Sequence, residues 1–167
     1  LKPTQILPIL CLVSKERATG KSTFLKWLKE IFEFNLTYLT NDSFTSNFNA
    51  DWASKLLICI DEVLFQTEVL TERIKYLSTT NINKIEAKGK DRKEIEFFGK
   101  FILCSNNETS FIKIDADEIR FWVRKIDSYE KEDVLFLSKL IKEIPAFLYF
   151  LSNRQLSTEN KSRMWFT

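Results

Sequence analysis

The sequence predicts an α/β sandwich of three layers around a mostly parallel sheet of about five strands, with an inserted β-hairpin and a C-terminal helical segment. Three observations carry this expectation. The runs Ile6–Val13, Leu56–Ile60 and Phe101–Cys104 are short, almost wholly apolar and lack polar alternation, as strands buried on both faces do. Each of them gives way abruptly to polar or charged residues at its carboxyl end. Segments with helical spacing separate them, and strands interleaved with helices favour parallel pairing.

In chain order, Ile6–Val13 reads as the first buried strand, with Pro8 near its start. From Lys21, the apolar residues Phe24, Leu25, Trp27, Leu28, Ile31 and Phe32 recur at helical spacing, and that helix ends near Phe34-Asn35. A short strand is expected at Thr37–Leu39, then a polar turn or helix through NDSFTSNFNADWA. After the strand Leu56–Ile60, Thr67–Leu77 reads as a helix. Asn83–Ala87 and Lys93–Phe97 alternate about Lys88-Gly89-Lys90-Asp91-Arg92, which signals a hairpin. Phe101–Cys104 and Phe121–Ile126 complete the strands. Glu132–Leu151 is helical with a break expected at Pro145, and residues 154–167 read as a tail. The division expected is a core over 1–130 and a helical segment over 131–167.

At 167 residues the chain is about one domain long, with 44% hydrophobic and 29% charged residues, ordinary for a globular protein. Fifteen Phe and four Trp make the expected core aromatic. A net charge of +2 is too small to imply nucleic-acid binding by itself, so any basic surface must be local. The three cysteines lie inside apolar runs without metal-ligand spacing and read as buried, reduced thiols. No apolar run reaches the roughly 18 residues of a membrane span and no signal peptide opens the chain, so a cytoplasmic, membrane-free protein is expected. The absence of histidine excludes His-dependent triads, His-ligated zinc and His proton relays. The chain opens on Leu and its only Met is Met164, so it reads as an excerpt of a longer protein.

The chemistry begins at KERATGKST, residues 15–23. The phosphate-binding loop pattern is G-x-x-x-x-G-K-[ST], and here Lys15 stands at its first glycine. The setting is the one the motif requires, because a buried strand precedes it and an amphipathic helix follows. Backbone N–H groups of Ala18, Thr19, Gly20, Lys21, Ser22 and Thr23 would point at phosphates where the helix dipole favours negative charge. Gly20 permits close backbone approach, Lys21 would reach the β- and γ-phosphates of ATP, and Ser22 would ligate Mg²⁺. Lys15 needs only an allowed backbone conformation at the turn out of the strand.

Asp61-Glu62 at the end of a buried strand is a costly pair unless a cation or a wet cleft receives it. The plain reading is a strand leaving the core into a charged turn. Combined with the loop about 40 residues earlier, Asp61 reads as holding Mg²⁺ or its water and Glu62 as polarising the attacking water. Ser105-Asn106 after FILC is weaker: a neutral amide there could fix a water and contact a γ-phosphate, yet Ser-Asn-Asn is also ordinary turn chemistry.

In order, ATGKSTFLKWL, LLICIDEV, NKIEAKGKDRKEIE, FILCSNNE and DEIRFWVRKI resemble a superfamily 3 helicase, an AAA+-type P-loop ATPase, over about Ile6 to Ile126. The likeness is to the helicase part of phage and mobile-element primase-helicases, where a primase domain often precedes the ATPase. It implies a P-loop NTPase fold and an ATP-dependent DNA helicase or translocase, working as a homo-oligomer, a hexameric ring, on single-stranded DNA. It implies that Lys21 and Ser22 bind nucleotide and Mg²⁺, that Asp61 and Glu62 are the second acidic motif and that Asn106 is the polar sensor. Lys88, Lys90 and Arg92 would lie on the family's DNA-contacting hairpin. Arg120, with Arg124 in reserve, would complete a neighbouring subunit's site. Lys15 departs from the pattern and puts the loop's shape in question.

Other readings stay open. From Lys84 to Lys100 six basic and four acidic residues make the hairpin only mildly positive, so charge alone favours a solvated hairpin. Arg120 alone would be an edge-strand surface charge. A nucleotide-gated initiator or loader would bind DNA without unwinding it, and a small-molecule or nucleotide kinase can share GKST.

Overall fold

The computed structural model describes residues 3–65, 67–113, 115, 117–129 and 133–155. Five strands form one sheet in the order β2-β3-β6-β1-β7: β1 Ile9–Val13, β2 Leu36–Leu39, β3 Leu57–Ile60, β6 Lys100–Ser105 and β7 Phe121–Lys125. Every neighbouring pair in it is parallel. A separate antiparallel pair, β4 Ile82–Ile85 and β5 Lys93–Glu96, makes the hairpin. The helices are α1 Lys21–Phe32, α2 Asn41–Thr45, α3 Glu68–Leu77 and α4 Phe136–Asn153, and a 3₁₀ turn covers Glu33–Asn35.

Strand alternation divides the core between two faces. Ile9, Cys11 and Val13 of β1, Ile58 and Ile60 of β3, and Phe101 and Leu103 of β6 join the larger cluster with Phe44 of α2 and Ile74 and Leu77 of α3. The intervening Leu12, Cys59, Ile102 and Cys104 join Leu25 of α1 on the opposite face. Side chains on successive strand positions point to opposite faces, so a run apolar at every position fits only a sheet covered on both. The larger cluster is aromatic: Phe44 stacks on Phe65 at 5.2 Å between centroids and meets Trp52 and Phe101 at 6.2 and 6.1 Å. All three cysteines are free and buried. Burial, helped by the Asp61 charge, pushes the Cys59 and Cys104 thiols up to about 12, which makes them unreactive.

The boundaries depart from the sequence expectation where backbone hydrogen bonding decides. β1 starts at Ile9, whose N–H donates to Arg120 O at 2.7 Å; Pro8 has no N–H to extend the ladder backwards. No break occurs at Pro145: α4 runs through it, with Pro145 on the exposed side, where one missing helical bond is tolerated. The start expected for that helix at Glu132 lies outside the described residues. α4 packs on α1, where the Trp27 ring meets Phe147 at 4.9 Å and Trp27 Nε1 donates to Leu140 O at 3.3 Å. Among the described residues no helix is long and apolar enough to cross a membrane.

Gly99 leads into β6 where a side chain has no room. A Cβ there would lie 2.5 Å from Phe97 Cζ and 2.7 Å from Ile58 Cδ1. Gly99→Ala is therefore expected to destabilise the fold by about 1–3 kcal/mol through overpacking, read as a lower midpoint in urea unfolding with an unchanged slope.

Candidate functional site

Parallel pairing places the carboxyl ends of β1, β3 and β6 side by side, and the chain leaves each of them into one cleft of about 360 Å³. The lining includes Ala18 to Thr23 after β1, Asp61 and Glu62 after β3, and Asn106 after β6. Open α/β sheets bind ligands at this edge.

Lys21 opens α1 and is 7% exposed. Its Nζ donates to Ser14 Oγ, to Thr19 Oγ1 at 3.1 Å and to Asn106 Oδ1 at 3.0 Å. Among the described residues it has no carboxylate partner: three neutral oxygens hold a buried ammonium. Burying a cation in this way is unfavourable unless an anion completes its surroundings. The helix end supplies the same preference, since α1 has neither a capping side chain nor an acidic residue in its first turn. Its first N–H groups are thus left for an incoming acceptor.

Gly20 has φ +84, and a Cβ on it would sit 3.2 Å from the Tyr129 ring. The conformation is what favours glycine here, since the exposed Tyr129 ring could give way to a Cβ. Lys15 is not among the residues with positive φ, and its N–H donates to Glu108 Oε1 at 3.0 Å. Within the loop the left-handed conformation falls on Ala18, at φ 56, and on Gly20. This answers the question raised by Lys15: the turn out of β1 does not ask for glycine at that position. Glu108, which sequence reasoning passed over, also pairs with Lys125 at 3.4 Å and so joins the loops after β1 and β6 to β7.

Ser22 Oγ donates to Asp61 Oδ2 at 2.9 Å, which brings the two expected Mg²⁺ ligands together across the cleft. Thr23 lines the same wall. Glu62 is exposed and also has φ 56, a left-handed conformation that costs a non-glycine residue about 1–2 kcal/mol. The neighbours hold it there: Glu62 N donates to Asp61 Oδ1 at 3.0 Å, Asn41 Nδ2 donates to Glu62 O at 3.2 Å, and Val63 N returns to Cys104 O at 2.8 Å. Strained backbone of this kind clusters at functional sites.

The remaining expected residues lie elsewhere. Lys88, Gly89 and Lys90 form the exposed tip of the β4–β5 hairpin, with Gly89 at φ 72. Arg92 Nε pairs with Glu86 at 2.7 Å, so its charge is partly neutralised within the hairpin. Arg120 precedes β7 at the amino edge of the sheet, the end opposite the cleft. Its Nη1 meets Glu118 Oε2 at 2.5 Å, and its Nε is buried without a partner among the described residues. Arg124 lies further along β7, exposed, with its guanidinium over Trp122 at 5.8 Å. Among the described residues no group of three or more acidic or thiol side chains could hold a metal unaided. Ser22 and Asp61 suit an ion that takes its other ligands from phosphate and water.

Residues 12–124 match a family of unknown function, DUF5906, over more than half of the chain. No curated protein is similar to it. Among solved structures, an apo structure of the NrS-1 C-terminal region (305–718) is 21% identical, with a TM-score of 0.81, over 97% of this chain and 40% of that one. An A-form apo structure of the same region is 23% identical, with a TM-score of 0.77, over 94% and 38%. Likeness at this identity is one of fold, and the chain spans about two fifths of the length of those structures.

Glu118, 7% exposed at its side chain, bonds Arg120 and Lys75 together. Burial by itself raises its carboxyl, but the Arg120 N–H and charge and the hydrogen bonds from Lys75 and Arg120 outweigh it and hold the group below its ordinary 4.5. A carboxyl depressed in the folded state stabilises above its unfolded value and loses that contribution as pH falls through the folded one. Glu118→Gln is therefore expected to be less stable than the unsubstituted protein at neutral pH, with the gap in thermal midpoint closing as pH falls below 4.5.

Proposed function

We propose that this chain, which belongs to the DUF5906 family, is a Mg²⁺-dependent ATP hydrolase of a phage, plasmid or mobile-element replication protein that couples turnover to movement on single-stranded DNA. The observation that carries the reading is the buried Lys21 ammonium, surrounded by neutral oxygens at an uncapped helix end and facing a cleft that also holds Asp61 and Glu62.

In this reading Lys21 leaves Ser14, Thr19 and Asn106 to meet the β- and γ-phosphates of ATP, while the N–H groups of Gly20 to Thr23 donate to the phosphate chain. Ser22 and Asp61 would hold Mg²⁺, which when bound neutralises charge on the phosphates. Glu62, exposed at the cleft and fixed at an unusual backbone angle, orients a water and takes its proton. Asn106 Oδ1, released by Lys21, is free to accept from that water, and the Nδ2 of the same amide is the group that would donate to the γ-phosphate. A kinase acceptor site is not needed to explain any of these contacts.

The hairpin supplies the reading's second half. Lys88 and Lys90 are exposed at its tip, suited to phosphate contacts that hold a strand without reading bases. Arg120 is tied to Glu118 and distant from its own chain's cleft, so any part it plays in hydrolysis belongs to the site of a neighbouring copy, in a ring that we expect to be hexameric. Arg124, on β7 itself, is the better-exposed alternative. A fused or partner primase domain and a cytoplasmic setting belong to the same proposal.

Three variants test it. Lys21→Ala is expected to abolish nucleotide binding, whereas Glu62→Gln is expected to bind Mg-ATP normally and lose about 10²–10⁴-fold in turnover, followed by fluorescent-nucleotide titration and phosphate release. Normal turnover by Lys21→Ala rejects the site. Joint Lys88→Ala/Lys90→Ala is expected to weaken binding to single strands of any sequence and to lower the slope of affinity against salt by about 1–2, measured by anisotropy across a salt series.

A further inference from the structure

The nucleotide cleft and the hairpin are joined by one short segment with an asparagine at each end. Asn41 opens α2, just past the carboxyl end of β2, and its Nδ2 donates to Glu62 O at 3.2 Å. A carbonyl oxygen only accepts, so the amide face turned to it is fixed. Eight positions on, Asn49 is 6% exposed and grips the end of β4 three times. Its Nδ2 donates to Lys84 O at 2.8 Å, its Oδ1 accepts from Glu86 N at 2.8 Å, and its own N–H donates to Glu86 O at 3.1 Å.

The intervening chain is anchored at its middle. Phe44 is wholly buried and stacked on Phe65. Arg73 of α3 lies over the Phe44 ring at 5.2 Å and donates to Thr45 O and Ser46 O at 3.1 and 3.0 Å. Asn49 O receives the N–H groups of Trp52 and Ala53. A segment packed at its centre and bonded at both ends moves as a unit, since close-packed interiors transmit displacement. Among the described residues the hairpin shares no ladder with the main sheet. Its first strand ends on Asn49, and the side chains of Ile85 and Ile95 pack against the larger core cluster.

We propose that Asn41–Asn49 is the mechanical link between hydrolysis and the hairpin: Asn41 senses the backbone of Glu62, and Asn49 sets the position of the hairpin base. Both are positioning residues and touch neither nucleotide nor DNA. The inference rests on the reading of the chain as a DNA-stimulated ATPase.

The test compares ATP turnover with and without an oligothymidine strand, alongside oligothymidine affinity, in the full chain. Asn49→Ala is expected to keep basal turnover and half-saturating oligothymidine within about twofold while losing most of the stimulation. Asn41→Ala is expected to lose stimulation as well, and the double variant to lose no more than the worse single one, since two ends of one link are not additive. Asn41 is only half-buried, so its variant keeps the test open if Asn49→Ala does not fold. Stimulation retained in either variant overturns the link, as does a parallel fall in basal turnover and stimulation in Asn49→Ala. Absence of stimulation in the unsubstituted protein is a different result, and it overturns the functional reading on which the link rests.

Discussion

Parallel pairing of β1, β3 and β6 is the constraint from which the rest of the architecture follows. It aligns three carboxyl ends, so a loop after one strand, two carboxylates after the next and an amide after the third meet without any long excursion of the chain. The same pairing demands cover on both faces, which α1 provides on one side and α2 and α3 on the other. The aromatic core around Phe44, Trp52 and Phe65 is thus also the support of the cleft, because the chain that carries Asp61 and Glu62 leads straight into Val63 and Phe65 within it.

Within the cleft the electrostatics are left incomplete. Lys21 is buried among hydroxyl and amide oxygens, and the helix end beside it has no acidic cap. The two carboxylates stand across from it, linked to the loop through the neutral Ser22. Both signs of charge are therefore held apart across one open space. Two non-glycine residues in left-handed conformation, Ala18 and Glu62, bracket that space, one on each side. The strain at Glu62 is offset by the hydrogen bonds around it, so that side of the cleft is shaped before anything enters it.

The charges farther out are differently placed. The exposed lysines of the hairpin tip stand clear of the core, whereas Arg92 and Arg120 are both engaged by carboxylates of the same chain. An arginine tied to a buried Glu118 at the amino edge of the sheet belongs as much to the stability of the fold as to any encounter with another copy. The segment from Asn41 to Asn49 gives the hairpin a defined seat on the body.

Much of this was legible in the residues themselves. Strands apolar at every position, the helix opening at Lys21 and the ordered motifs at Lys21-Ser22, Asp61-Glu62 and Asn106 depend on local pattern and on spacing along the chain, and both are visible in a sequence. What only the tertiary structure decided depends on contacts across many residues. Asn49 grips the hairpin 35 and 37 positions away, Glu108 bonds Lys15 across 93, and the loop's left-handed conformation falls on Ala18 and Gly20 rather than on Lys15. A polar side chain such as Asn49 or Glu108 looks the same in sequence whether it faces water or a buried backbone, because its energy is set by the partner that folding brings to it. The continuity of α4 through Pro145 has the same cause: local preference argued for a break, and packing against α1 held the helix together.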